Sequence, residues 1–518
     1  MPNPLYDALF APLSGSEKPF IHLLGGQTLS ADMFHRMVAR YANALMAAGV
    51  QSDARVVVQA SKSPQMLAVY GAAVMSGSVF LPLNPAYTAE ELEYFLSDCG
   101  ASLLLVDNAR AHALAPLAQK LGVRLETLGE GGSFETIAEG CPDEFTPVAR
   151  NEDDLTALLY TSGTTGRSKG AMLTQRNLLS NAQTLADLWQ FDQNDVLLHA
   201  LPIFHTHGLF VACNVVLLVG ASMIFLPAFD IDQVFDALPR ATTIMGVPTF
   251  YTRLLADPRL NRAAVEHMRL FISGSAPLLA ETHKGWSERT GHAILERYGM
   301  TETNMLTSNP YVGARRPGTV GPALPGVELR ITNPETGTEL PDGATGMIEV
   351  RGPNVFKGYW QMPDKTAAEF RQDGFFMTGD LGMIDDQGYV TIVGRAKDLI
   401  ISGGFNVYPK EVEMVLDELP DIAESAVIGL PHPDFGEAVV AVLVAHHRDL
   451  DISEIEDALR SKLARYKQPK SYILLPELPR NTMGKVQKAA LRTTYQAHFS
   501  ESDCTQEDAA LSQAKRDK

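Results

Sequence analysis

Along most of the chain, apolar positions switch back and forth between two periods. Ala31 to Ala48 carries apolar residues at helical spacing and stops at Gly49, a residue that commonly closes helices. Arg55 to Gln59 is a short apolar run of strand character, followed by a helical run from Pro64 to Met75. Leu103 to Asp107 and Val196 to Leu201 read as further buried strands. Such alternation predicts α/β layers with mostly parallel sheets. Between about Gly318 and Val393 the pattern changes. Short strands at Val327–Ile331, Gly346–Arg351 and Gly388–Val393 are separated by Gly, Pro and Asp, which predicts a β-rich, barrel-like part.

From Gly394–Asp398 onward a smaller α+β pattern begins. It contains Leu399–Ile401, a helix opening at Pro409, and strands at Ala426–Ile428 and Ala438–Val444. The predicted organisation is a large domain over 1–394, a small α+β domain over 395–498 and a polar tail over 499–518. One stretch, Gly208 to Leu226, carries no charge and approaches the length of a membrane span. Asn214, Gly220 and Ser222 interrupt it, so the expectation is a buried helix followed by a buried strand.

At 518 residues the chain exceeds what one core ordinarily holds, in keeping with two or more domains. Its 43 basic and 61 acidic residues leave a net charge of −18. That charge opposes binding to nucleic acid or anionic lipid, yet permits a locally positive site for a small anion. Cys99, Cys141, Cys213 and Cys504 are scattered without metal-ligand spacing and read as free thiols in a reducing compartment. The first residues lack a basic segment followed by a long apolar one, so the expected location is cytoplasmic.

The densest chemical signal is the run Tyr160-Thr-Ser-Gly-Thr-Thr-Gly-Arg-Ser-Lys-Gly170, which follows the apolar Leu155 to Leu159. Gly163, Gly166 and Gly170 let backbone N–H groups turn toward an anion. Thr161, Ser162, Thr164, Thr165 and Ser168 add hydroxyl donors, and Lys169 adds a charge. This is a phosphate cradle, though without the spacing of the Walker loop. TSGTTGRSKG resembles the phosphate-loop signature of the adenylate-forming superfamily, which includes acyl-CoA synthetases, luciferases and peptide-synthetase adenylation domains.

Further motifs of that superfamily follow in order. Tyr298-Gly-Met-Thr-Glu-Thr303 resembles its adenine and magnesium element. The resemblance implies stacking by Tyr298 with Gly299 beside it, a phosphate bond from Thr301, and Mg²⁺ held by Glu302, an oxygen ligand suited to a hard cation. Thr378-Gly-Asp380 resembles the ribose element, with Asp380 and Arg395 as ribose contacts and Lys397 at the hinge position. Gly403 and Gly404 fall where the superfamily lines its pantetheine tunnel; by residue type alone they equally fit a strand-to-helix turn. Pro479-Arg-Asn-Thr-Met-Gly-Lys485 resembles the catalytic-lysine segment. The resemblance thus implies catalytic roles for Lys485, Thr161 and Glu302, with an ammonium stabilising charge that develops at the α-phosphate. It also implies ATP, Mg²⁺ and coenzyme A as reaction partners.

The acid side is less determined. Leu201–Leu209 (LPIFHTHGL) resembles the substrate-side loop, with His205 and His207 near the acid. Gly246–Arg253 and Phe271–Leu278 are expected to line the same pocket. A buried Arg253 requires a counter-charge. The second carboxylate of a dicarboxylate supplies one, with hydroxyl bonds from Ser273 or Ser275; the other reading puts Arg253 on an outer helix face. The layout is similar to that of the malonyl-CoA synthetases, which implies ligation of malonate, or methylmalonate, to coenzyme A. A ligase for another short-chain or aryl acid is the alternative.

Overall fold

The computed structural model describes residues 2–161, 168–402, 405–446, 450–481 and 484–499. It divides into two compact units, one formed by Met1–Leu278, Thr282–Leu329 and Val350–Phe376, the other by Leu279–Glu281, Arg330–Glu349 and Met377–Lys518.

The first unit is built on two sheets. In one, the strand order is Arg124–Leu128, Ala101–Asp107, Arg55–Gln59, Val79–Pro82, Leu155–Thr161, Lys169–Thr174. Every neighbouring pair is parallel except the last. Val56–Val58 and Leu103–Val106 are fully buried, as continuous apolar strands in parallel sheets must be when both faces are covered. Between the first two strands in sequence, helix Pro64–Ser76 buries nearly every residue. Helix Ala31–Ala47 lies so close against it that a Cβ on Gly71 would come within 2.9 Å of Val38.

The second sheet runs Asn304–Ser308, Leu295–Met300, Leu270–Ser273, Thr243–Gly246, Val196–His199, Ser222–Phe225, Pro19–His22, Thr28–Ser30. Its interior pairs are parallel and its two edges antiparallel. Ligands in such sheets bind beyond the carboxyl ends of the parallel strands. Here those ends carry His199, Phe225, Gly246 and Ser273.

The uncharged stretch starting at Gly208 lies in a π-helix, His207–Cys213, that continues into helix Asn214–Val219 and then strand Ser222–Phe225. Most of it is buried. Among the described residues no helix is long and apolar enough to cross a membrane.

Two smaller sheets complete the chain. Strands Glu328–Thr332, Gly346–Arg351, Phe376–Ile384 and Val390–Arg395 pair in that order. The C-terminal sheet has the order Phe405–Val407, Ile400–Ser402, Gly436–Ala445, Ile422–His432, with Ser471–Leu474 parallel to Gly436–Ala445. Helices Pro409–Asp417, Ile452–Lys462 and Lys488–Thr494 belong to the same unit. The fold is the expected one: layered α/β, a β-rich part and a small α+β domain.

Candidate active site

Strands Leu155–Thr161 and Lys169–Thr174 run antiparallel, and their last pair is Thr161 opposite Lys169. The loop they hold, with Ser162, Gly163, Thr164, Thr165 and Gly166, lies outside the described residues. Its base is anchored. The Tyr160 hydroxyl donates to Asp98, and Tyr94 donates to the Ser168 carbonyl at 2.7 Å. Thr161 Oγ1 lies 3.4 Å from the Lys169 carbonyl.

The Lys169 ammonium points at an acidic cluster. It lies 3.0 Å from Glu369 and 4.1 Å from the centre of the Tyr359 ring. The Tyr359 hydroxyl lies 2.7 Å from Glu369 Oε2 and 3.1 Å from Glu302 Oε1. A phenol has one proton, so one carboxylate at a time receives it. Burial pushes the Glu369 carboxyl up, but the bonds from Lys365, Tyr359 and Lys169 outweigh that and hold it below the usual range. Glu302 itself is buried. A carboxylate beside Lys169, sharing a phenol with a second carboxylate, is a hard-oxygen donor set. Mg²⁺ takes one or two carboxylates plus phosphate oxygens and water, so the residues fit it. Among the described residues no group of three or more His, Cys, Asp or Glu could cage a metal.

Glu302 sits in the turn of the hairpin that joins Leu295–Met300 to Asn304–Ser308, which carries a bulge at Tyr298/Gly299. A Cβ on Gly299 would lie 1.9 Å from the Asn304 carbonyl oxygen, so this turn requires glycine. Tyr298 and Thr301 are half-buried beside it.

The acid-side residues gather at the carboxyl ends of the second sheet. Ser273 ends its strand, and its buried hydroxyl has no partner among the described residues. Ser275 has φ 72°, a left-handed conformation that costs a non-glycine residue of order 1 kcal/mol or more. Its hydroxyl lies 3.1 Å from His207 Nδ1. Burial first, then the charge of Arg297, holds His207 well below the usual histidine range, so this ring is neutral near pH 7. His205 is half-buried, with its ring centre 4.6 Å from that of Phe204.

His207 opens the π-helix, a form that concentrates at functional sites. Buried His199 braces it. Its Nε2 meets the Gly208 carbonyl at 2.8 Å and must carry the proton, because a carbonyl only accepts. Its Nδ1 therefore accepts from Lys62, also at 2.8 Å. Burial draws the Lys62 ammonium down to about 7.

Arg253 is exposed. Helix Pro248–Ala256 turns Phe250, Tyr251 and Leu254 inward, and the Tyr251 hydroxyl is fixed to the Ile272 carbonyl at 2.6 Å. Position 253 consequently faces out. Its guanidinium sits 5.9 Å from the Phe229 ring, beside Asp230 and Ile231, and makes no hydrogen bond to Ser273 or Ser275. The buried guanidinium belongs instead to Arg297, which is 3% exposed. Its Nε and Nη2 have no partner among the described residues. Gly274 presses on it: a Cβ there would lie 2.4 Å from Cζ. Burial pulls the Arg297 group down to about 9, which still leaves it cationic at pH 7.

In the second unit, Asp380 is buried opposite Arg395, and their side chains form an ion pair at 2.7 Å. Lys397 is exposed over much of its surface, and partial burial of its ammonium is the first cause of a lowered pKa. Lys485 is exposed too. Its backbone N–H donates to Asn481 Oδ1 at 3.0 Å, closing a turn in which Gly484 adopts φ 73°. Gly403 and Gly404 lie outside the described residues.

Residues 14–360 match the sequence profile of the AMP-binding enzymes, and residues 411–485 that of the AMP-binding enzyme C-terminal domain. The chain belongs to the AMP-binding enzyme family. It is 38% identical over 483 residues to the mitochondrial malonate–CoA ligase ACSF3 of Mus musculus, covering 86% of this chain and 82% of that protein. It is also 38% identical over 476 residues to a feruloyl-CoA synthase of an Amycolatopsis species, covering 91% and 95%. Among solved structures, ATP-bound MatB from Rhodopseudomonas palustris is 56% identical, with a TM-score of 0.94 over 96% of this chain and 100% of that one.

Two residues of this neighbourhood, Arg297 and Glu369, are absent from the motifs that the sequence displays. Arg297 directly precedes the Tyr298 motif, third in the strand Leu295–Met300, and its place beside that motif was its one signal. Glu369 had none, because it meets Lys169 from 200 residues away.

Proposed function

We propose that this chain joins malonate to coenzyme A in two steps. A malonate oxygen attacks the α-phosphorus of ATP, the bond to the β-phosphate oxygen breaks, and pyrophosphate leaves. The thiolate of coenzyme A then attacks the acyl carbon of malonyl-adenylate, and the bond from that carbon to the AMP oxygen breaks. Lys169 and the loop after Thr161 hold the β- and γ-phosphates, Tyr298 and Gly299 the adenine, Thr301 the phosphate, and Asp380 with Arg395 the ribose. Glu302 would hold Mg²⁺, which when bound neutralises charge on the phosphate oxygens. Lys485 presents its ammonium to the charge developing during adenylation, and Lys397 serves as hinge. Gly403 and Gly404 border the path of pantetheine.

Identity to the mouse and Amycolatopsis proteins is equal, at 38%, and so does not choose the acid. The observation that carries malonate is Arg297: a buried cation with two nitrogens unpartnered among the described residues, set among Gly274, His207 and the serines that flank Gly274. A burial this costly is offset when the substrate brings a second carboxylate. Arg297 takes that carboxylate with help from Ser273 and Ser275, while neutral His207 orients Ser275. Methylmalonate falls within reach, since one methyl changes binding by only about 1–3 kcal/mol. We place this activity in a reducing compartment, the cytoplasm. The test is coenzyme-A-dependent AMP release with malonate, methylmalonate, succinate, acetate, benzoate and octanoate at equal concentration. Malonate should lead; malonate inert beside an active monocarboxylate refutes this substrate while leaving the ligase.

A further inference from the structure

Glu369 is the last residue of helix Pro363–Glu369. A carboxylate at a helix C-terminus meets the negative end of the backbone dipole and needs cations to sit there. It has two. Lys169 lies 3.0 Å and Lys365 2.9 Å from the same oxygen, Oε1, while Tyr359 binds Oε2 at 2.7 Å. The Lys169–Glu369 pair is largely shielded from water, with side chains 16% and 21% exposed, so solvent screens it less than a surface pair.

Lys169 thus spends its charge on a protein carboxylate at the very loop that binds phosphate. Its one ammonium cannot serve Glu369 and a triphosphate equally, because the two anions repel each other across it. We propose that Glu369 is a competing counter-ion for the phosphate loop. It holds Lys169 between turnovers, yields it to the phosphates of ATP, and reclaims it as pyrophosphate departs. Lys365 makes the exchange cheap, since Glu369 keeps a cation on Oε1 when Lys169 leaves. This inference rests on the reading of Lys169 as a phosphate ligand.

The experiment uses the full chain and three variants: Glu369→Gln, Lys365→Met and Lys169→Met. ATP affinity is measured by calorimetry without acid, followed by the KM for ATP, kcat and inhibition by pyrophosphate. Glu369→Gln keeps an acceptor for Tyr359 but frees Lys169. It should tighten ATP and pyrophosphate together by roughly three- to tenfold, without raising kcat, because pyrophosphate now leaves more slowly. Lys365→Met deprives Glu369 of its other cation, fixes it more firmly on Lys169, and should weaken ATP. These opposite signs separate the electrostatic role from a structural one. Weaker or unchanged ATP binding in a normally melting Glu369→Gln protein overturns the proposal, as does tighter binding in Lys365→Met. If Lys169→Met leaves ATP binding intact, it is the phosphate-loop reading itself that fails.

Discussion

Replacing Arg297 by methionine should damage the reaction and strengthen the protein at once. Burial holds the guanidinium at about 9 where 12.5 is usual, a gap that corresponds to about 5 kcal/mol of lost hydration. In the enzyme without acid, two of its nitrogens offset none of that cost within the described residues. Methionine fills similar volume without the charge, and such exchanges typically stabilise by about 1–4 kcal/mol. With malonate bound, the balance reverses. Removing one partner of a buried ion pair costs about 3–5 kcal/mol, which converts to a loss of about two to four powers of ten in kcat/KM.

The assay pairs two readouts: AMP release with malonate and with acetate, and thermal melting of the free enzyme. Arg297→Met should lose malonate turnover by that factor, keep whatever acetate turnover the parent has, and melt at a higher temperature. An Arg253→Ala protein, changed at an exposed side chain, should stay within a few-fold of the parent. A malonate loss below tenfold, or an equal loss with acetate, refutes the assignment of Arg297. A larger loss in Arg253→Ala would return the second carboxylate to Arg253.

Gly274→Ala puts a methyl 2.4 Å from Cζ of Arg297 and should raise the KM for malonate at least tenfold, with a stability loss of about 1–3 kcal/mol measured by denaturant titration. Lys485→Ala should abolish acid-dependent exchange of pyrophosphate into ATP yet leave attack of coenzyme A on supplied malonyl-adenylate largely intact; equal loss of both contradicts the role given to Lys485. Asp417, raised by burial to about 6 despite Lys410 and Ser425, binds a proton more tightly folded than unfolded. Stability therefore falls as pH rises from about 4 to 6 and is flat above, so Asp417→Asn should gain about 2–3 kcal/mol at pH 8 and nothing at pH 4, read by denaturant titration of the full chain.

The layers were legible because burial on both faces leaves an unbroken apolar run. Arg55–Gln59 and Gly346–Arg351 come out with the ends the sequence gives them, and the uncharged stretch after His207 divides into helix and strand as its interruptions imply. The π-turn was not legible. It depends on Gly208, where a Cβ would meet the Pro202 oxygen at 2.1 Å, and on a brace from His199 that only the fold assembles. Position 253 was partly readable: Phe250, Tyr251 and Leu254 mark the inward stripe of their helix and leave Arg253 outside it. The residues around Arg297, Gly274 and His207, and the Glu369 partner of Lys169 come from distant segments, and no local pattern announces such neighbours.

The two cations reach opposite electrostatic solutions inside a chain of net charge −18. Lys169 is neutralised in advance, so nucleotide must displace an existing partner, and affinity is traded for release of pyrophosphate. Arg297 is left with unmet donors among the described residues, so a second carboxylate would meet donors already in place. A monocarboxylate that filled the remaining space would leave those donors desolvated and unanswered. A site built to bond a substrate group rejects analogues lacking it by about 10⁴-fold or more, whereas an apolar pocket discriminates a methylene only weakly. Selectivity should accordingly be steep against acids without a second carboxylate and shallow among dicarboxylates differing by a methyl. The ratio of malonate to methylmalonate turnover should then lie far below the ratio of malonate to acetate, and a reversed order would place the selective element somewhere other than Arg297.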